Sequence, residues 1–251
     1  MRLPGGVVAF AVGVLALVGV VVMTTTVGVP VIGGPGGDGA AVQPGRGLRV
    51  DVVGDSLVRQ ASTQLQAGLA DAGFDYRVAS EPGREMASAF VRGRLDDAAG
   101  VDGDILVLAT AANDALVREP EGDDGSAYRR EMGALAGRFA DRCLVIVNAR
   151  TQVSPLYHPH SAAAVDDDLR AVAAEHPTLV LVDWNEESTG LPASAFAPDG
   201  LHFARDPAIP APDSPAAAAY ARAIVSGAQR CAGKVAAAGD APGSAGVGSD
   251  S

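Results

Sequence analysis

Three short stretches of this sequence carry side chains that could do chemistry together: Asp55-Ser56, Asn113-Asp114 and Asp199-Gly-Leu-His202. A serine hydroxyl is a weak nucleophile unless a base takes its proton, and histidine is the usual base near neutral pH. The histidine in turn needs an acceptor on its other ring nitrogen to fix its tautomer and direction. Asp199 and His202 stand in one tight segment and can supply orienter and base together. Plainer readings stand beside these. Asp55 and Ser56 suit the cap of a helix beginning near Leu57. Asp199-Gly200 suits the corner of a turn that leaves His202 on the surface.

The elements that must position these residues alternate along the chain. Val50–Leu57 reads V-D-V-V-G-D-S-L, a β-branched run broken at Gly54 and followed by Leu57, Ala61, Leu65 and Leu69 at helical spacing. The pattern predicts strands over Leu48–Val53, Tyr76–Ala79, Ile105–Ala109, Cys143–Val147 and Leu179–Val182. Helices are expected through Met86, Phe90 and Leu95, through Met132, Leu135 and Phe139, over Ser161–Glu175 and over Pro215–Cys231. A polar loop is expected after Thr110-Ala-Ala-Asn-Asp. Strand and helix in alternation imply a parallel sheet covered on both faces, a three-layer α/β/α sandwich. The expected topology is five-stranded and flavodoxin-like, order 2-1-3-4-5. Ligands of such sheets collect outside the carboxyl ends of the strands, where Ser56 falls.

Four blocks in this order on these strand ends resemble the SGNH (GDSL) hydrolases: Gly54-Asp55-Ser56-Leu57, Gly83 after strand two, Asn113-Asp114 after strand three, and Asp199-Gly-Leu-His202. The resemblance implies Ser56 as nucleophile, His202 as general base and Asp199 as its orienter. It also implies an oxyanion hole made by the backbone N–H groups of Ser56 and Gly83 with the side-chain amide of Asn113. These types suit the task. Glycine lets a backbone donor approach closely, and a neutral amide stabilises negative charge without ionising. Ser56 is not in a G-x-S-x-G elbow. The third block departs from the family's Gly-x-Asn-Asp at Ala111, for which a small local change is expected. Phe203–Pro212 is expected to form one wall of a pocket.

The implied activity is a serine esterase acting on a small acyl, foremost acetyl, ester of an envelope glycan or metabolite. Two alternatives stand: an O-acyltransferase using the same site, and a catalytically silent envelope-binding domain. No cofactor or metal is expected. His158 and His160 with Asp166, Asp167 and Asp168 could suggest a metal, but consecutive aspartates on a helix point different ways, and a solvated acidic face is the simpler reading. Trp184 reads as core or pocket floor before carbohydrate platform.

The chain has 251 residues and a formal charge of −11, which argues against a nucleic-acid partner. A monomer is expected. Leu3–Ile32 has no charged residue and follows Arg2. This predicts a transmembrane anchor or signal sequence over residues 1–29, with the rest outside the cytoplasm. Cleavage before Val42 would release a secreted form instead. Residues 30–47, rich in Gly, Pro and Ala, read as a flexible linker, 48–232 as the folded domain and 233–251 as a disordered tail. Cys143 begins strand four and Cys231 ends the last helix, so an antiparallel helix would bring them together opposite the reactive rim. An oxidising compartment would permit the disulfide, and two buried thiols are the alternative.

Overall fold

The structure is a computed structural model and describes residues 45, 47–100, 103–118 and 126–239. The expected N-terminal segment and nearly all of the linker lie outside these residues. Five parallel strands form one sheet in the order β2-β1-β3-β4-β5: β1 Arg49–Gly54, β2 Asp75–Ser80, β3 Ile105–Ala109, β4 Cys143–Val147 and β5 Leu179–Val182. Alternate strand residues face opposite layers. Val50, Val52, Val107, Val145 and Val182 pack on helices α1 (Ser56–Asp71) and α7 (Pro215–Gly239). Val53, Leu106, Leu108, Leu144 and Ile146 pack on α2 (Ala89–Ala99), α4 (Ser126–Arg138) and α5 (Pro159–Glu175). Covered on both faces, β3, β4 and β5 carry unbroken apolar runs, while Asp51 interrupts β1 and the edge strand β2 is partly exposed.

Several details differ from the sequence expectation. A short helix, α3 (Ala111–Val117), occupies the place of the expected loop after β3. At seven residues it is too brief for helical periodicity to register, and Asn113 and Asp114 disfavour helix interiors. Met86 lies before α2, whose cap is Ser88, and its N–H is held instead by the Asp114 carboxylate. A further short helix, α6 (Trp184–Glu187), follows β5. The last helix continues to Gly239, past the expected domain end at residue 232. Asp166 is buried rather than solvated. Its carboxylate accepts from the Ala149 N–H and the Asn148 amide, which fixes the chain leaving β4.

Cys143 and Cys231 are joined in a disulfide with a Cα–Cα separation of 5.5 Å. It ties the start of β4 to the far part of α7, at the end of the sheet away from Ser56.

Candidate active site

β1 ends at Gly54 because the chain must pass over its own helix there. A Cβ on Gly54 would lie 2.2 Å from Val58 Cγ2. The turn delivers Ser56 as the first residue of α1, buried, with its backbone N–H in a turn that has no intrahelical acceptor. Asp55 caps that helix through the Leu57 N–H, at 2.8 Å. The plain reading of Asp55 therefore holds, alongside a second role. Its other oxygen accepts from the Asn113 amide, also at 2.8 Å.

The loop from Ala197 to His202 closes on the same point. Gly200 has a φ of +73°, and a Cβ there would meet Gln152 O at 3.0 Å. The turn so formed points both donors of its return, the Leu201 and His202 N–H groups, at one oxygen of Asp199. The other oxygen accepts from His202 Nδ1 at 2.8 Å. With Nδ1 donating, Nε2 is left as acceptor, and Ser56 Oγ lies 3.0 Å from it. Burial would push the Asp199 carboxyl up, but the His202 ring and the His202 and Leu201 N–H groups outweigh it and hold the carboxyl below its usual range. Tyr157 packs edge-on to the His202 ring, with centroids 6.0 Å apart.

Gly83 lies three residues beyond Ser80, the partner of Gly54 across β1 and β2, and has a φ of +71°. Asn113 is buried in the first turn of α3 with one amide hydrogen engaged by Asp55. Its second amide hydrogen is not used by that bond. Ala111 precedes it in the same helix, and His158 is the one non-glycine with positive φ among the described residues. The alanine thus needs no glycine conformation, and Asn113 is aimed by Asp55.

Sequence reasoning took Asp55 for a helix cap and Asp114 only as part of a motif, and it missed Arg150. Burial pushes Asp55 up to about 6, against the hydrogen bonds from Leu57 and Asn113 and the charge of His202. Asp114, behind Asn113, is pushed by burial to about 7 despite bonds from Met86, Thr110 and Tyr128. Arg150 is buried after β4. Its guanidinium donates to Gln152 O, Gly200 O and Ser188 O and lies 4.0 Å over the Phe196 ring, clamping the Asp199–His202 turn from outside. Trp184 is fully buried in an aromatic cluster with Phe203, Tyr220 and Phe196 beneath the same loop, so it is core. Among the described residues no group of His, Cys, Asp and Glu is gathered as a metal would require.

No family model matches the sequence, and neither does any curated protein. Solved structures do match. A lipase/acylhydrolase from Enterococcus faecalis has a TM-score of 0.58 at 15% identity, covering 73% of this chain and 96% of its own. The C-terminal catalytic domain of peptidoglycan O-acetyltransferase A from Streptococcus pneumoniae, solved with a methylsulfonyl adduct, has a TM-score of 0.55 at 15% identity, covering 74% and 96%. A GDSL-like lipase from Bacteroides thetaiotaomicron has a TM-score of 0.52 at 10% identity, covering 74% and 88%. The fold of this chain is that of the SGNH (GDSL) hydrolases.

Proposed function

We propose that the chain is a serine ester hydrolase acting on short acyl, foremost acetyl, esters. The observation that carries this is the continuous bonding from Asp199 through His202 to Ser56, at 2.8 and 3.0 Å. Ser56 Oγ attacks the ester carbonyl carbon while His202 Nε2 takes its proton, and Asp199 stabilises the imidazolium. The oxyanion is met by the N–H groups of Ser56 and Gly83 and the free amide hydrogen of Asn113. His202 then returns the proton to the leaving alkoxide. Water, deprotonated by His202, then attacks the acyl carbonyl carbon, the bond to Ser56 Oγ breaks, and His202 returns the proton to that oxygen as the carboxylic acid leaves.

The short-acyl reading is supported by the O-acetyltransferase domain among the neighbours of the same fold. A second reading, transfer of the acyl group to a sugar hydroxyl, draws support from the O-acetyltransferase domain among the structural neighbours. For location we favour the cell envelope, as an anchored or secreted protein that meets glycan or metabolite esters. The uncharged run Leu3–Ile32 and the disulfide both suit that compartment.

The test is turnover of 4-nitrophenyl esters from acetyl to long-chain by the purified full chain. Rates should be highest with acetyl and absent in Ser56→Ala. A wild type inert to every ester, or an equally active Ser56→Ala, would sink the assignment. Product analysis on an O-acetylated glycan, with and without an acceptor sugar, separates hydrolysis from transfer.

A further inference from the structure

Ser56 and His202 stand 146 residues apart in the chain, and nothing in the Asp199–His202 turn itself aims the imidazole at α1. The turn is self-contained: its carboxylate, its two N–H donors and its ring are all within four residues. Arg150 and the Ser154 N–H tie its Asp199-Gly200 side to the chain after β4, not to the helix that carries the serine.

Gln60 makes that connection. It lies one turn along α1 from Ser56, on the same helix face, and is fully buried. Its Oε1 accepts from the Phe203 N–H at 2.8 Å, and its Nε2 donates to Ala204 O at 3.0 Å and Asp206 O at 2.9 Å. Its backbone carbonyl accepts from the Ala211 N–H at 2.8 Å. Phe203–Asp206 is irregular backbone, with no strand partner to receive these groups. A buried amide on a helix is the one device here that meets two carbonyls and an N–H at fixed spacing. Gln64, one further turn along, does something similar at the far end of the loop, where its amide donates to Ala211 O and Pro212 O.

We infer that Gln60 is a positioning residue that sets His202 Nε2 within reach of Ser56 Oγ. The inference rests on the Ser56–His202 pair being the reacting pair. An apolar side chain at this position would leave the Phe203 N–H without its partner and free His202 to drift along α1 while still bonded to Asp199.

The test compares Gln60→Met with Gln64→Met in the full chain, by crystal structure and by kinetics per folded molecule. Gln60→Met should carry Ser56 Oγ and His202 Nε2 beyond hydrogen-bond distance with the Asp199–His202 bond kept. It should lower kcat by about 10²-fold, with KM changed less than about two-fold. Gln64→Met should lower the melting temperature and leave kcat near wild type. Gln60→Asn keeps the amide on a shorter stem and should fold yet lose about 10-fold in kcat. Gln60 variants with a wild-type Ser56–His202 separation and kcat would overturn the inference. So would equal kcat losses in the Gln60 and Gln64 variants at equal loss of stability. If the wild type turns over no ester, the esterase reading fails, while the Ser56–His202 separation in the variants still judges Gln60.

Discussion

Ser56 stands at the junction of a strand paired on both sides and a sixteen-residue helix, whereas Asp199 and His202 stand on irregular backbone between Phe196 and Ala211. The first segment is placed by main-chain ladders and by a glycine that lets β1 pass close over α1. Placement of the second depends on side chains reaching from elsewhere: Gln60 from α1 and Arg150 from the chain after β4. A ladder spreads its load over many bonds, while a clamp concentrates it in one buried side chain whose removal strands several backbone groups. The Ser56 side should therefore tolerate change around it, and the His202 side should be sensitive at a few distant positions.

The largest effect should come from the pair proposed to react, Ser56 and His202. Ser56→Ala and His202→Ala should each lower kcat by about 10⁴-fold or more, and by similar amounts, because the two act as a unit. Steady-state kinetics on folded protein checks this. A mild loss in His202→Ala beside a severe one in Ser56→Ala would show that the irregular segment supplies no base.

Asn113 belongs to the regular side, held by α3 and aimed by Asp55. Asn113→Ala should lower kcat roughly 10²–10³-fold with little change in KM, since a donor to the oxyanion strengthens only as charge develops. Asn113→Asp should be at least as harmful, because a carboxylate has no donor and would face Asp55. A kinetically silent Asn113→Ala would remove the residue from the oxyanion hole.

Arg150→Met sharpens the contrast. It removes the donors to Gly200 O and Ser188 O from the base side and touches nothing on β1 or α1. A fall in kcat of about 10-fold is expected, together with a lower melting temperature, since buried carbonyls lose charged donors worth about 1.5–3 kcal/mol each. Wild-type kcat in folded Arg150→Met would mean the turn holds its shape unaided.

The smallest effect concerns Asp114, whose carboxyl moves by burial from 3.8 to about 7. Between those values the folded chain keeps a proton that the unfolded chain has released. Stability from this group is therefore greatest at the low end of the window and falls as pH rises toward 7. Asp114→Asn should make the melting temperature decline less steeply from pH 4 to pH 7. A wild-type slope in the variant would show that Asp114 is ionised throughout.

Much of this molecule was legible in the residues. Apolar runs of four or five residues alternating with helical spacing determine a parallel sheet, because only strands buried on both faces are apolar throughout. Gly54-Asp55-Ser56 at a strand end, read with Gly83, Asn113 and Asp199-Gly-Leu-His202, singled out one edge of that sheet. What the sequence could not contain is the set of long-range side-chain bonds. Gln60 and Arg150 are ordinary polar residues in the sequence, and only their burial against carbonyls distant in the chain makes them clamps. Asp55 looked like a helix cap and is one, but its second oxygen meets Asn113 only because β1 and β3 are neighbours in the sheet. Asp166 looked like one of three solvated acids, and the packing of α5 against the end of β4 alone decides that it is buried. Local pattern specifies which elements form, since it acts within a turn or a strand. Which polar groups lose water and must find partners depends on how those elements meet, and that is settled only in the folded chain.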